Sequence, residues 1–232
     1  MISSMTKPAS VTPLSLAICM PIGKEAVHPL TIRSLLAMRA AMPKDLPVHF
    51  LDTVEVGVEN ARNFLTQRAL DLSVSHLLWI DSDMVFDPDA ANRLLDHDLP
   101  IVGGLCHNRR HPYMPILIRK MTHGEHKGAY SFMYDYPLGL VDVDATGAAF
   151  LLVKRTVFEE IGKQLEGKPG DPGWFTNDNA GEDISFCQRA VSAGFYVVVD
   201  TTLEIGHVGE VVVDSKFARR NREIVVNQWK PW

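Results

Sequence analysis

The strongest chemical signal in the sequence is a pair of aspartates directly after a short apolar segment. HLLWI (76–80) is followed by Asp81-Ser82-Asp83. Side chains two residues apart on an extended segment point the same way, so both carboxylates can face one point. Ligands of open α/β sheets bind at the carboxyl ends of strands, where paired carboxylates suit Mg²⁺ or Mn²⁺ shared with substrate phosphates. The triplet predicts a metal site at Asp81 and Asp83, with turn capping before Pro88 as the alternative.

A second acidic pair, Glu182-Asp183, follows Gly181 and opens a predicted helix. The helix dipole favours acidic residues in a first turn, so charge compensation is one explanation of the pair. A carboxylate at the lip of a cleft can also accept a proton from an attacking hydroxyl. Asp183 and Glu182 are therefore candidates for the catalytic base.

Three further residues could contribute to a site. His207 lies between glycines in IGHVG (205–209), where it can approach a metal or be an ordinary loop residue. Arg62, in the helix before the aspartate pair, can bind a phosphate or a carboxylate or remain a surface charge. Trp174 follows a Gly- and Pro-rich segment, and we expect it either over a sugar or acceptor ring or in the core.

Alternating strands and helices are predicted to position these residues. Pro29 opens a helix that ends before Pro43, and Pro88 precedes another helix after the third strand. Such alternation indicates a parallel sheet, and uniformly apolar strands indicate that helices cover both of its faces. The apolar runs place strands at 14–22, 48–52, 76–80 and 101–105, and helical spacing recurs over 58–72.

Beyond Gly104 the alternation of strands and helices weakens, and residues 107–140 are predicted to form loops and short strands. Thr156 and Glu159 have capping-box spacing for a helix that ends at Gly162. We expect a flexible lead (1–12), a single α/β domain (13–213) and a basic tail (214–232). Within the domain, a further strand is expected at 148–153 and a helix followed by a strand over 182–200.

The composition excludes several classes of protein. The chain has 232 residues, 46% of them hydrophobic, and a formal charge of −5, which is typical of a folded soluble domain and not of a disordered chain. This charge gives no general reason to bind nucleic acid or a membrane surface. Three cysteines in apolar contexts indicate buried thiols in a reducing compartment, the cytoplasm. No apolar run approaches the roughly 18 residues of a membrane span.

Taken in order, these segments resemble the GT-A nucleotide-sugar glycosyltransferases, and most closely glycosyltransferase family 2. The resemblance covers roughly residues 14–209. It consists of an opening strand that ends in Pro21, then Ala61-Arg62-Asn63, LLWIDSDM, TGAAFLLVKRTVFEEIG, GEDISFCQRAVSAGF and the late His207.

The resemblance implies a GT-A (Rossmann-like) fold and a role for each matched residue. Asp81 and Asp83 would hold Mn²⁺ or Mg²⁺ on the donor diphosphate, with His207 near the metal, and Asp183 would be the general base. Pro21, Asp52 and Arg62 would lie along the donor, although TVEVGVEN (53–60) replaces the family's usual stretch after Asp52. The implied reaction transfers a hexose or pentose from a nucleoside diphosphate sugar, expected to be a UDP-sugar, with inversion.

The acceptor is left open by the sequence, as is the oligomeric state. A saccharide or glycoconjugate hydroxyl is the default expectation. HNRRHPY (107–113) and the basic tail favour a hydroxylated DNA base as the alternative acceptor. Two other functions are weighed: a sugar nucleotidyltransferase, for which PIGKEAVHP (21–29) lacks a Gly-rich triphosphate loop, and a non-catalytic, metal-dependent sugar-binding module.

Overall fold

The central element of the fold is a sheet with the strand order β2-β1-β3-β10-β5-β11-β8. The computed structural model describes residues 13–24, 26–123, 127–166, 173–177, 181–209 and 212–220, so the predicted lead (1–12) and most of the predicted tail lie outside the described residues. The seven strands are β1 (Leu16–Ile22), β2 (Val48–Val54), β3 (His76–Ile80), β5 (Ile101–Leu105), β8 (Leu140–Val143), β10 (Phe150–Lys154) and β11 (Val197–Glu204).

Five of these seven strands run in the same direction. β1 pairs in parallel with β2 and β3, and β11 pairs in parallel with β5. β10 runs antiparallel between β3 and β5, and β8 is antiparallel to β11. The predicted open and mostly parallel sheet is confirmed, and it places the carboxyl ends of β1, β3 and β5 at one edge.

Helices cover both faces of the sheet, as predicted. Leu16 and Ile18 of β1 pack in one buried cluster with Met38 of α1 (Pro29–Ala41) and with α3 (Ala90–Asp96). Ala17 and Cys19, which point the other way, belong to the opposite cluster. That second cluster is covered by α2 (Val58–Asp71), α4 (Arg155–Leu165) and α5 (Glu182–Ser192). The described chain is a single α/β domain in which alternation along β1 divides the core into two layers.

Two small sheets flank the carboxyl edge of the central sheet. One contains β4 (Met84–Val85), β12 (Gly206–Val208) and β13 (Val212–Val213), and the other contains β6 (Leu117–Lys120), β7 (Tyr130–Phe132) and β9 (Ala145–Thr146). In the first, His207 is paired with Met84, and the Val208 amide donates to the carbonyl of Asp83 at 2.8 Å. This register sets His207 beside the aspartate pair.

The predicted capping box of α4 is wrong. The N-cap is Lys154 and no side chain caps the helix, while Glu159 instead accepts a hydrogen bond from Arg155 Nε at 2.6 Å. Gly162 lies inside the helix, which continues to Leu165. A Cβ on Gly162 would lie 3.7 Å from Trp174 Nε1, an ordinary van der Waals contact, so the indole packs beside this position within the helix.

Asn63 of α2 holds the short segment that contains Phe175. Its Nδ2 donates to the Phe175 carbonyl at 2.7 Å, and the Phe175 amide donates to its Oδ1 at 2.9 Å. The Phe175 ring is buried, stacked on Phe186 of α5 and edge-on to Trp79 of β3. One amide side chain therefore joins α2 to a segment that packs between β3 and α5.

Replacing this amide should weaken the fold measurably. Asn63→Ala leaves the amide and carbonyl of Phe175 without their partner, which should cost about 1–3 kcal/mol in urea unfolding. Gln67→Ala is the matched control, since Gln67 lies on the same helix and makes an exposed bond to Asp71. Equal urea midpoints for the two variants would show that the Asn63 bonds contribute nothing to stability.

Candidate functional site

A buried arginine joins the two acidic pairs. Arg62 is 2% exposed, and its Nη2 donates to Asp81 Oδ1 at 3.1 Å. Its Nη1 donates to the carbonyl of Ala148 at 3.0 Å, and its Nε lies 3.4 Å from Glu182 Oε1. The guanidinium thereby connects α2 to the end of β3 and to the first residue of α5. The structure brings together Asp81, Arg62 and Glu182, which lie far apart in the sequence.

Asp183 lies next to this ion pair but has a different environment. Its Oδ1 accepts a hydrogen bond from the Ile184 amide at 2.8 Å, and a Cβ on Gly147 would lie 3.5 Å from its Oδ2. Burial raises the pKa of Asp183 to about 6; Arg62 opposes the rise and the Glu182 carboxylate adds to it. A carboxyl group with this pKa is ionised at neutral pH and is basic enough to accept a proton from a hydroxyl during bond formation.

The carboxylates of Asp81 and Asp83 turn to different partners. The residues after β3 form a turn, so the predicted extended segment over Asp81-Ser82-Asp83 is wrong. Asp83 forms an ion pair with Arg109, and its Oδ2 lies 3.3 Å from His207 Nε2. Burial raises the pKa of Asp81 and Arg62 opposes this effect. For Asp83 the effect of burial is outweighed by His207 and Arg109, so its pKa is lowered.

Asp83 and His207 are the residues best arranged to hold a metal ion. His207 Nδ1 lies 3.0 Å from the His107 carbonyl oxygen, and because a carbonyl only accepts, Nδ1 carries the hydrogen. Metal-binding histidines commonly make this bond with one nitrogen and use the other as the ligand. Within the described ranges no three His, Cys, Asp or Glu side chains converge on one point, so substrate phosphates and water would have to supply the remaining ligands.

A narrow cleft extends from the aspartate pair along the end of β1. It has a volume of about 210 Å³ and is lined by Pro21, Gly23, Val56 and Val58 together with residues 81–83. Pro21 and Asp81 therefore line one cleft, and their contacts with a donor stay predictions.

Asp52 and Trp174 lie elsewhere. Asp52 is exposed on β2, the edge strand, and is not among the residues that line this cleft. Trp174 Nε1 donates to the Phe158 carbonyl at 2.8 Å, and the indole packs edge-on against the Phe158 ring. These contacts correspond to the core-packing alternative for Trp174, and the donor contacts of both residues stay predictions.

Arg109 and His107 were not identified as site residues from the sequence. Arg109 forms the ion pair with Asp83, and the carbonyl of His107 orients His207. Both belong to HNRRHPY, which directly follows β5 and Cys106. The sequence feature that could have identified them is the position of this basic segment at the carboxyl end of a parallel strand. That position places the segment at the same edge of the sheet as Asp81.

Comparison with known proteins identifies the fold but no family. No protein-family model matches the sequence, and no curated protein sequence matches it. The structure of A197 from STIV has a TM-score of 0.57 with this chain at 15% identity, covering 84% of this chain and 86% of A197. At that identity the similarity shows a shared fold and nothing about activity.

Two more distant structures carry less weight. A protein from Bacillus anthracis described as a glucose-1-phosphate thymidylyltransferase was solved in complex with sucrose. Its structure has a TM-score of 0.46 and 10% identity, covering 94% of this chain and 98% of that one. A glycosyltransferase involved in glycosylation of the major capsid of PBCV-1 has a TM-score of 0.37, 12% identity and 72% coverage of each chain. Both scores are too low to support a conclusion. Separately, no helix in the described part of the chain is long and apolar enough to cross a membrane.

Loss of the buried guanidinium should destabilise the site strongly. Arg62→Met leaves the carboxylates of Asp81 and Glu182 without their cation, at an expected cost of about 3–5 kcal/mol in the free energy of unfolding at pH 7. The loss should be smaller at lower pH, because burial raises the pKa of Asp81 and protonation of this group removes an uncompensated charge. Adding Asp81→Asn and Glu182→Gln to Arg62→Met should recover much of the stability.

Arg68→Met is the matched control, because Arg68 is exposed on the same helix. If Arg62→Met and Arg68→Met unfold at the same urea concentration at pH 7, the Arg62 ion pairs do not stabilise the site.

Proposed function

We propose that this protein is a metal-dependent, inverting glycosyltransferase that moves a sugar from a nucleoside diphosphate sugar, such as a UDP-sugar, to an acceptor hydroxyl. The observation that carries the proposal is the arrangement around Arg62, which sets the end of β3, with Asp81, against the start of α5, where Asp183 has a pKa raised to about 6. A candidate phosphate site and a candidate base are thus held at one edge of the sheet.

In this proposal the nucleoside lies in the cleft beside Pro21 and Gly23, which opens onto Asp81 and Asp83. Asp83 and His207 would hold Mn²⁺ or Mg²⁺ against the diphosphate. The bound cation would neutralise the negative charge that develops on the leaving diphosphate. Imidazole and carboxylate ligands together suit Mn²⁺ better than Mg²⁺, which prefers oxygen donors alone.

Asp183 would act on the acceptor. Its carboxylate removes the proton of the attacking hydroxyl while the hydroxyl oxygen bonds to the anomeric carbon and the bond from that carbon to the diphosphate oxygen breaks. Attack opposite the leaving diphosphate inverts the anomeric centre. Glu182 is bound to Arg62, so we assign it a positioning role and expect Asp183 to be the base.

Metal and donor binding should depend on each other. A UDP-sugar should raise the melting temperature in Mn²⁺ and have little effect in excess EDTA, because binding to the native state stabilises it by mass action. Asp83→Asn should abolish the Mn²⁺-dependent shift while leaving a folded protein. Asp89→Asn, which changes an exposed aspartate without a side-chain cap bond, is the control. An equal shift in EDTA would contradict the metal role.

Turnover should depend on Asp183 more than on Glu182. Asp183→Asn keeps the shape of the side chain and removes its basicity, so kcat should fall by about 10²–10⁴-fold while donor and Mn²⁺ affinities change little. Glu182→Gln should cost less activity but should lower stability, because it removes a carboxylate from Arg62. If only Glu182→Gln is inactive, the roles are reversed; if both variants are active, the base lies elsewhere.

The raised pKa of Asp183 gives two dependences on pH. The base must be ionised, so kcat/KM should fall about tenfold between pH 7 and pH 5, through the pKa of about 6.

Because the folded-state pKa of Asp183 exceeds the unfolded value of about 3.9, ionisation of this group destabilises the fold as pH rises from about 4 to 6. Asp183→Asn should therefore melt above the wild type at pH 7, and this difference should shrink at pH 4. A constant difference would place Asp183 in an unperturbed environment.

Product analysis separates this function from its rivals. A glycosyltransferase releases the nucleoside diphosphate from a sugar nucleotide, and slow donor hydrolysis without acceptor would already show this activity. A nucleotidyltransferase instead releases pyrophosphate when it is given a nucleoside triphosphate and a sugar 1-phosphate. A sugar-binding module would show the metal-dependent thermal shift and neither product.

A further inference from the structure

A second cavity lies beyond the loop that follows β5. It has a volume of about 300 Å³, and its walls include Tyr113, Tyr134, Tyr136, Met114, Leu138 and His107. We call it the tyrosine cavity. The lining is mostly aromatic and apolar and includes two charged residues, Asp135 and Arg219, and the cavity has the size of a site for a small ring-shaped ligand.

Two polar atoms of the cavity walls have no partner among the described residues. They are the hydroxyl of Tyr134 and Nδ1 of His107, both buried. His107 is 1% exposed, and its Nδ1 can donate or accept a hydrogen bond, according to the tautomer of the ring. Buried polar groups are normally hydrogen-bonded, so these two atoms of the cavity walls are open to a hydrogen bond from a ligand or from water.

A larger cleft adjoins the tyrosine cavity and reaches Asp83. It has a volume of about 770 Å³, and His28, Arg109, Arg110 and His111 line it together with Asp83. We call it the basic cleft. Asp83 is already paired with Arg109 and His207, and the Arg110 guanidinium has no partner in the part of the chain that the structure describes. The cleft therefore has cationic groups in excess, which favours an anionic ligand.

Tyr113 lines both spaces and connects them. Its ring packs edge-on against Phe217 at a centroid distance of 4.9 Å and against His111 at 5.9 Å. Phe217 belongs to a helical stretch (215–220), so the first residues of the predicted basic tail form a wall of the basic cleft. A ligand that passes Tyr113 would occupy the cavity with one part and the cleft with another.

We propose that the tyrosine cavity and the basic cleft together bind an acceptor that carries a phosphate group, with its uncharged ring in the cavity and its phosphate beside Arg110. The proposal rests on the proposed function and names its acceptor class. A phosphate would pair with the exposed guanidinium of Arg110, and a sugar or base ring could hydrogen-bond to the Tyr134 hydroxyl and to His107 Nδ1. A sugar phosphate and a nucleotide share the required chemistry.

Binding of matched probes to the protein loaded with UDP and Mn²⁺ tests the proposal and its two sources. Isothermal titration calorimetry would compare glucose 6-phosphate with glucose, and thymidine 5′-monophosphate with thymidine. At least one phosphate compound should bind about tenfold or more tightly than its uncharged counterpart. The first pair would identify a sugar phosphate and the second a nucleotide or a DNA strand. Equal or absent binding within both pairs would overturn the proposal.

Two variants locate the binding. Arg110→Gln should weaken the phosphate probe about tenfold and leave the uncharged probe unchanged, whereas Arg68→Gln, an exposed control on α2, should affect neither. Tyr134→Phe should weaken both members of the bound pair by about threefold to tenfold. It should not lower the melting temperature of the free protein, because the lost hydroxyl has no partner. A structural hydroxyl would show the opposite behaviour: lower stability and unchanged affinity.

The donor site is measured separately, by the Mn²⁺-dependent thermal shift with UDP. If UDP fails to bind while a phosphate probe still binds through Arg110 and Tyr134, the proposed donor is wrong and the second site stands. If Arg110→Gln weakens UDP and leaves the probes unchanged, the basic cleft belongs to the donor and the proposed acceptor class is wrong.

Discussion

The buried guanidinium of Arg62 is the interaction on which the rest of the site depends. An arginine that is 2% exposed needs compensating charge, and Asp81 and Glu182 provide it from the end of β3 and the start of α5. Because Arg62 also bonds to the carbonyl of Ala148, just before β10, three elements meet at one side chain. The neighbouring Asn63 holds the segment that packs between β3 and α5, so two consecutive residues of α2 organise the site.

Much of this arrangement could be predicted from local pattern, and the remainder could not. The strands β1, β3 and β5 and the helices α1 and α2 follow from apolar runs, helical spacing and proline positions, since these depend on neighbouring residues. The partners of Arg62, Asp83 and His207 depend on contacts across the sheet, and a sequence offers no spacing from which to calculate them. Thr156 and Glu159 had the right spacing for a capping box, but α4 begins at Arg155 and ends at Leu165. Trp174 packs beside Gly162 within this helix, a tertiary contact that local spacing does not reveal.

Asp81 and Asp83 show how one motif can serve two electrostatic roles. Burial raises the pKa of Asp81 against the opposing effect of Arg62, whereas His207 and Arg109 lower the pKa of Asp83 in spite of its burial. The difference arises from the turn after β3, which directs Asp83 toward β12, where the register sets His207 opposite Met84. Asp81 is therefore tied to the protein's own cation, and Asp83 is the carboxylate with access to the basic cleft.

Under the proposed function, this division would allow a chain with a formal charge of −5 to bind phosphates beside an acidic motif. Two guanidinium groups, those of Arg109 and Arg110, line one cleft on the Asp83 side. Asp183 lies against Gly147, where burial outweighs the attraction of Arg62 and raises its pKa to about 6. A base surrounded by the cations that bind phosphate would lose its basicity, because neighbouring positive charge lowers a carboxyl pKa. Under the proposed function, the buried Arg62 would allow one edge of the sheet to hold both an anionic substrate and a group that removes a proton.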